Sequence, residues 1–190
     1  MKYNKACVEV LCGTIECGLK YASYDGVKLV GFTYLDWARS AVDRKSTSEC
    51  CFCLGSTMVS WINKKQTSRA LSTSEAEYIT TNVASKEAMW LQKLLANLYG
   101  HELDVTMIFC DNESYMKLLE NFMFHDTSKH IDLRYHYIRN IVQKGVVKLQ
   151  YISTNEQTAD ILTKSLSRVE IAYFYERVGV VEIPFLGKGD

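Results

Sequence analysis

Apolar and strand-favouring residues dominate "KLVGFTYLD", which predicts a strand over residues 28–36. The polar stretch "WARSAVDRKSTSE" follows as a connector. "CCFCLGSTMVSWI" is rich in strand formers broken by Gly55, the pattern of a hairpin turning near Gly55–Ser56. "SRALST" can continue as a third strand. At Ser74 the period changes. Ile79, Val83, Trp90 and Leu94 recur at helical spacing, Leu91, Leu95 and Leu98 widen the stripe, and Gly100 ends it. "DVTMIFC" reads as a buried strand, "NESYMKLLENFMF" and "DLRYHYIRNIVQKG" as helices, and "VVKLQYIS" as another strand. "NEQTADILTKSL" predicts a helix capped by Asn155, and "RVEIAYFYERVG" a last amphipathic helix before Pro184. Residues 1–26 are ambiguous, with "ACVEVLCGTIECGLKY" compatible with a short helix and a Gly-punctuated turn. The order is three strands, helix, strand, two helices, strand, helix. It predicts an α/β domain with a mixed sheet flanked by helices.

Composition narrows the class. Of 190 residues, 47% are hydrophobic and 23% charged, so the chain has the makings of a globular core. Lys plus Arg and Asp plus Glu each number 22, so net charge gives no pull toward nucleic acid, and any such binding must be local. The seven cysteines are odd in number, and "MKYNKACVEVLCGT" has no long apolar core. Reduced thiols in a cytoplasmic or nuclear, non-secreted protein are therefore expected. "CCFC" offers no second pair at zinc spacing, so Cys50, Cys51 and Cys53 read as small core residues. No apolar run is long enough to span a membrane.

Four acids stand at predicted element ends: Asp36 closing the first strand, Glu77 in the first turn of the long helix, Asp111 after "MIFC", and Asp160 after the last strand. Such a fold can bring them to one point, where carboxylates repel unless hard cations neutralise them. Two Mg²⁺ ions roughly 3.5–4 Å apart would suit phosphoryl transfer. Each acid also has a plainer role. Ser74 and Glu77 fit a capping box, Asp111 can cap the next helix, and Asp160 can be a solvated helix residue.

The words "DRKSTSE", "SWINKKQ", "LSTSEAEYI", "KEAMWLQKLL", "CDNES", "SKHIDLRYHYIR" and "ADILTKSL", in this order, resemble the ribonuclease H domain that ends the Pol polyprotein of copia-type (LTR) retrotransposons. The resemblance covers roughly residues 8–180. "VLCGTIECGLKY" is similar to that family's connector from reverse transcriptase. It implies a connector remnant over 1–26, a ribonuclease H-like domain over 27–166, and a C-terminal helix and tail over 167–190. It also implies a five-stranded mixed sheet with helices on both sides, and cleavage of RNA in RNA–DNA hybrids by two Mg²⁺ (or Mn²⁺) ions. By position, Glu77, Asp111 and Asp160 become metal ligands and catalytic residues. Polymerase, integrase and protease words are missing, so a fragment or derived gene is expected.

One departure stands out. The family pattern resembles G-Y-x-D-A-D-W, and here the word is "GFTYLDW". Tyr34 takes the place of the first, bridging Asp, and Asp36 matches the second acid. A neutral phenol is a poor Mg²⁺ ligand, so impaired cleavage is expected. Rescue by Asp36 would need a bulge or a register shift. The alternatives are a non-catalytic nucleic-acid or protein binding module, or a transposon relic without a selected role.

Lys64, Lys65 and Arg69 could track a phosphate backbone or form a solvated hairpin face. The resemblance adds Lys129 and His130 on the substrate side. His130 and His136, six apart, do not share a helix face as a zinc pair would. Trp37, Trp61 and Trp90 read as packing residues.

Overall fold

The computed structural model describes residues 15–21, 28–37, 43–120, 129–162 and 166–183. Its strands are β1 (Cys17–Leu19), β2 (Leu29–Asp36), β3 (Thr47–Leu54) and β4 (Thr57–Lys65), followed by helix α1 (Thr73–Tyr99). Then come β5 (Thr106–Cys110), α2 (Glu113–Glu120), α3 (Lys129–Gln143) and β6 (Val147–Tyr151). Two 3-10 turns (Thr154–Glu156 and Thr158–Leu162), α4 (Arg168–Arg177) and β7 (Val180–Glu182) complete the order.

The main sheet has five strands in the order β4-β3-β2-β5-β6. The first three are antiparallel, and β2, β5 and β6 run parallel. Only residues 55–56 separate β3 from β4, as the Gly55 signal predicted. A separate two-stranded sheet pairs β1 with β7, Cys17 opposite Glu182 and Leu19 opposite Val180.

Alternation along the strands builds two cores. Leu29, Cys50, Phe52 and Ile108 face α1 and α3, packing with Ala84, Ala88, Leu91, Leu95 and Ile141. Phe32, Cys51 and Cys53 face the opposite side, under Ile152, Ala159 and Val178. The cysteines thus serve as small buried residues, as their spacing implied. No helix among the described residues is long and apolar enough to cross a membrane.

Several expectations are corrected. "SRALST" forms no strand, because β4 ends at Lys65 and the chain then turns into α1. The cap of α1 is Ser72, whose side chain accepts the Glu75 N–H, while Glu75 accepts the Leu71 N–H. Ser74 and Glu77 lie within the helix, so the cap does not employ Glu77. The segment around Asn155 makes 3-10 turns in place of an α-helix. The three tryptophans are not packing residues: Trp37, Trp61 and Trp90 are 49%, 62% and 56% exposed. Trp61 lies on the edge strand. In α1 the buried line runs through Ala84, Ala88, Leu91 and Leu95, which leaves Trp90, Leu94 and Leu98 turned outward.

Candidate functional site

Three elements deliver the site. The Ser72 cap sets the start of α1 and places Glu77 in its second turn, where it is 4% exposed. The parallel strand β5 ends at Cys110 and hands the chain to Asp111 and Asn112. The Asn112 side chain then does two jobs. Its Oδ1 accepts the Tyr115 N–H at 2.9 Å, capping α2, and its Nδ2 donates to Glu77 Oε1 at 3.3 Å. The other carboxylate oxygen of Glu77 lies 3.9 Å from Cys110 Sγ. Thr154, in the first 3-10 turn, donates to Asp111 Oδ2 at 3.3 Å. Among the described residues, one ligand atom from each of Glu77, Cys110 and Asp111 lies within 4.8 Å of the others.

Tyr34 borders the same space. An open cleft of ≈ 380 Å³ is lined by Tyr34, Trp37, Glu77, Asp111, Asn112 and Thr154, among others. The end of β2 is fixed from both sides. Thr33 Oγ1 donates to the Phe109 carbonyl at 3.1 Å, and Gln157 Nε2 donates to the Thr33 carbonyl at 2.8 Å. Tyr34 leans on the second core and stands opposite the buried Glu49 of β3. Asp36 pairs with Thr47 at the last position of β2 and does not line the cleft. Asp160 is buried in the second 3-10 turn. It lines a neighbouring cleft of ≈ 410 Å³ that shares Thr154 with the first. The structure therefore gathers Glu77 and Asp111, sets Tyr34 beside them, and holds Asp160 one cleft away.

The basic residues lie elsewhere. Lys65 pairs with Asp43 at 2.8 Å, and Arg69 Nε donates to the Asp43 carbonyl at 2.6 Å. Lys64 is exposed on β4 opposite Ser48. Lys129 and His130 open α3, but their side chains fall outside the described residues. Cys110, Asn112 and Thr154 were not singled out from sequence. The neighbours of Asp111 in "CDNES" were the available signal for the first two, whereas Thr154 comes near only through the fold.

Burial dominates the electrostatics. It lifts the Glu77 carboxyl from its ordinary 4.5 to about 7, with the Asp111 charge adding to the rise and hydrogen bonds from Asn112 and Cys110 opposing it. Burial and the Glu77 charge push the Cys110 thiol well above its usual range. Glu77 is raised in the folded state, so that state holds a proton the unfolded chain has released between pH 4.5 and 7. Metal-free protein should accordingly lose stability as pH rises through that window, by up to roughly 3 kcal/mol. Glu77→Gln should flatten the decline. Urea unfolding at pH 5 and pH 8, with chelator present, checks both expectations.

The chain is 37% identical over 180 residues to the "Retrovirus-related Pol polyprotein from transposon RE2" of Arabidopsis thaliana, covering 95% of this chain. It is 40% identical over 152 residues to the corresponding polyprotein from transposon TNT 1-94 of Nicotiana tabacum, covering 80%. It spans only 12% and 11% of the lengths of those relatives. No family model matches. Among solved structures, the N-terminal RNase H domain of a Mycobacterium tuberculosis protein superposes with a TM-score of 0.53 at 11% identity, covering 77% of this chain and 98% of that one. A foamy viral protease-reverse transcriptase in complex with RNA/DNA hybrid gives 0.53 at 14% identity, covering 80% of this chain and 21% of that one. The sequence match along nearly the whole chain, joined to this fold, identifies it as a ribonuclease H-like domain of the copia-type retrotransposon Pol polyprotein family.

Proposed function

We propose that this domain engages RNA–DNA hybrids in the manner of a ribonuclease H and cleaves them poorly or not at all. One observation carries the reading: Tyr34 lines the same cleft as Glu77 and Asp111, where the family pattern places a bridging carboxylate. Glu77 and Asp111 fit one side of a two-ion centre. The remaining positions do not complete it, since a phenol is neutral near pH 7 and Asp160 lines the adjoining cleft. A pair of Mg²⁺ ions wants an all-oxygen, mostly anionic shell near 2.0–2.1 Å, and this donor set falls short of one. The family's reverse transcriptase would be the covalent partner, joined through a connector to which residues 1–26 belong.

Hybrid binding and hybrid cutting separate the readings. With a labelled RNA–DNA duplex, retained and salt-dependent binding is expected, with RNA cleavage at or near background in Mg²⁺ and in Mn²⁺. Robust turnover by the purified chain would overturn impairment, and absence of any binding would favour a relic.

A further inference from the structure

We infer that the outward face of α1, carried by Trp90, Leu94 and Leu98, is a docking surface for the reverse transcriptase portion of the same polyprotein. The inference rests on the covalent partner proposed above and goes beyond it by naming the contact.

A surface helix needs one apolar face, the one against its core. Helix α1 has two. Ala84, Ala88, Leu91 and Leu95 meet the sheet and are buried. Trp90, Leu94 and Leu98 recur four residues apart, so they stand in one row about 12 Å long on another side of the helix. They are 56%, 40% and 71% exposed. The flanks of the helix are already taken. On one, Ser60 of β4 donates to Glu87 Oε1 at 2.6 Å. On the other, Lys86 Nζ stands 5.8 Å from the centre of the Tyr137 ring on α3. The row therefore points away from the domain. Single exposed apolar residues are ordinary, but a contiguous row headed by tryptophan has the make-up of an interface centre.

Size and charge select the occupant. Nucleic acid is held through its phosphates, and the row itself offers them no cation. A freestanding dimer buries about 800 Å² on each side, well above what three side chains present. A neighbour in the same polypeptide needs less, because the tether keeps it at an effective concentration in the millimolar range. This chain spans 12% and 11% of the lengths of its two polyprotein relatives, so the family supplies such a neighbour. The row also begins roughly 20 Å along α1 from Glu77, which leaves the cleft open to a hybrid while the other end of the helix is docked.

The test fuses the reverse transcriptase segment of the Arabidopsis RE2 polyprotein ahead of this chain. A photo-reactive benzophenone side chain is placed at position 94, or at the exposed position 150 on the opposite edge strand β6 as a control. Illumination should cross-link position 94 to the reverse transcriptase of the same molecule, mapped by mass spectrometry, and position 150 should give no such product. Trp90→Ala combined with Leu98→Ser should cut the yield at position 94 about tenfold or more, as expected for loss of interface anchors. The same pair of changes should leave the urea midpoint of the isolated chain in place, because these side chains stand outside its core. A soluble, polymerising fusion that cross-links nowhere on the reverse transcriptase, or only to a second fusion molecule, would overturn the inference. So would equal yield at position 150, or yield at position 94 that the paired change leaves intact. Flotation of the isolated chain with phosphatidylcholine–phosphatidylserine vesicles, lost on Leu98→Ser, would overturn it in favour of a lipid surface. Hybrid binding by the isolated chain is read separately. Its absence sinks the reading of the cleft and lets the cross-links stand, whereas hybrid binding without cross-links sinks the docking surface alone.

Discussion

Tyr34→Asp is expected to raise hybrid cleavage in Mg²⁺ on the order of 100-fold or more over the unaltered chain. Removing a single preorganised charge-stabilising group costs about 10²–10³ in rate in well-studied enzymes, and this substitution restores one. It returns an anion to the cleft that already holds Glu77 and Asp111. The structure adds a condition. Tyr34 stands opposite the buried Glu49 and packs on the second core. A new carboxylate would therefore lose ring contacts and face a like charge across the strands, a pairing that costs up to about 1 kcal/mol. The single variant should fold less stably, and Tyr34→Asp with Glu49→Gln should recover part of that loss while keeping the gain in rate. Single-turnover cleavage alongside urea unfolding measures both. A well-folded double variant no faster than the original chain would show that Tyr34 does not stand at the metal position.

Phe52→Ala should remove about 3–5 kcal/mol of stability, which is much of what a domain of this size holds. Phe52 is fully buried in β3 at the centre of the larger core. Its ring lies over Gly31, the residue directly opposite on β2. A methyl group at Gly31 would come within 2.6 Å of that ring, so the glycine is what lets the phenyl group settle there. Truncating the ring leaves a void that β2 cannot readily fill, because β2 is held in register by strands on both sides. Thr33 and Tyr34 follow a few residues along the same strand, so the cleft should loosen too. Denaturant unfolding gives the value, and a loss below about 1 kcal/mol would mean that this core is far more plastic than its packing implies.

Much of the architecture could be read from sequence because it rests on local signals. A break at Gly55 between strand formers and a glycine stop at Gly100 survive in the fold as a two-residue turn and a left-handed cap. Other features were hidden for identifiable reasons. "LSTSEAE" holds two overlapping S-x-x-E words, and only packing decides that Ser72 and Glu75 form the cap while Glu77 points to the site. The stripe on α1 was read in part: Ile79, Leu91 and Leu95 are buried as expected, whereas Trp90, Leu94 and Leu98 turn outward and the small Ala84 and Ala88 that touch the sheet gave no apolar signal. The turns holding Asp160 mimic a helical pattern, yet Gln157 ties them to β2 instead, a contact between residues 124 apart. The meeting of Glu77 with Asp111 was open to inference from element order, whereas the sulfur beside them depended on which way Cys110 faced.

The small ribbon of β1 and β7 bears on how the molecule responds to tension. Cys17 lies opposite Glu182 and Leu19 opposite Val180, so the polypeptide before β1 and the polypeptide after β7 leave from the same end of the pair. A pull applied through these two flanks loads the ribbon's hydrogen bonds one after another, as in opening a zip, which is the weak direction for an antiparallel pair. The ribbon should part at low force and leave the five-stranded sheet intact, acting as a mechanical fuse ahead of the cleft.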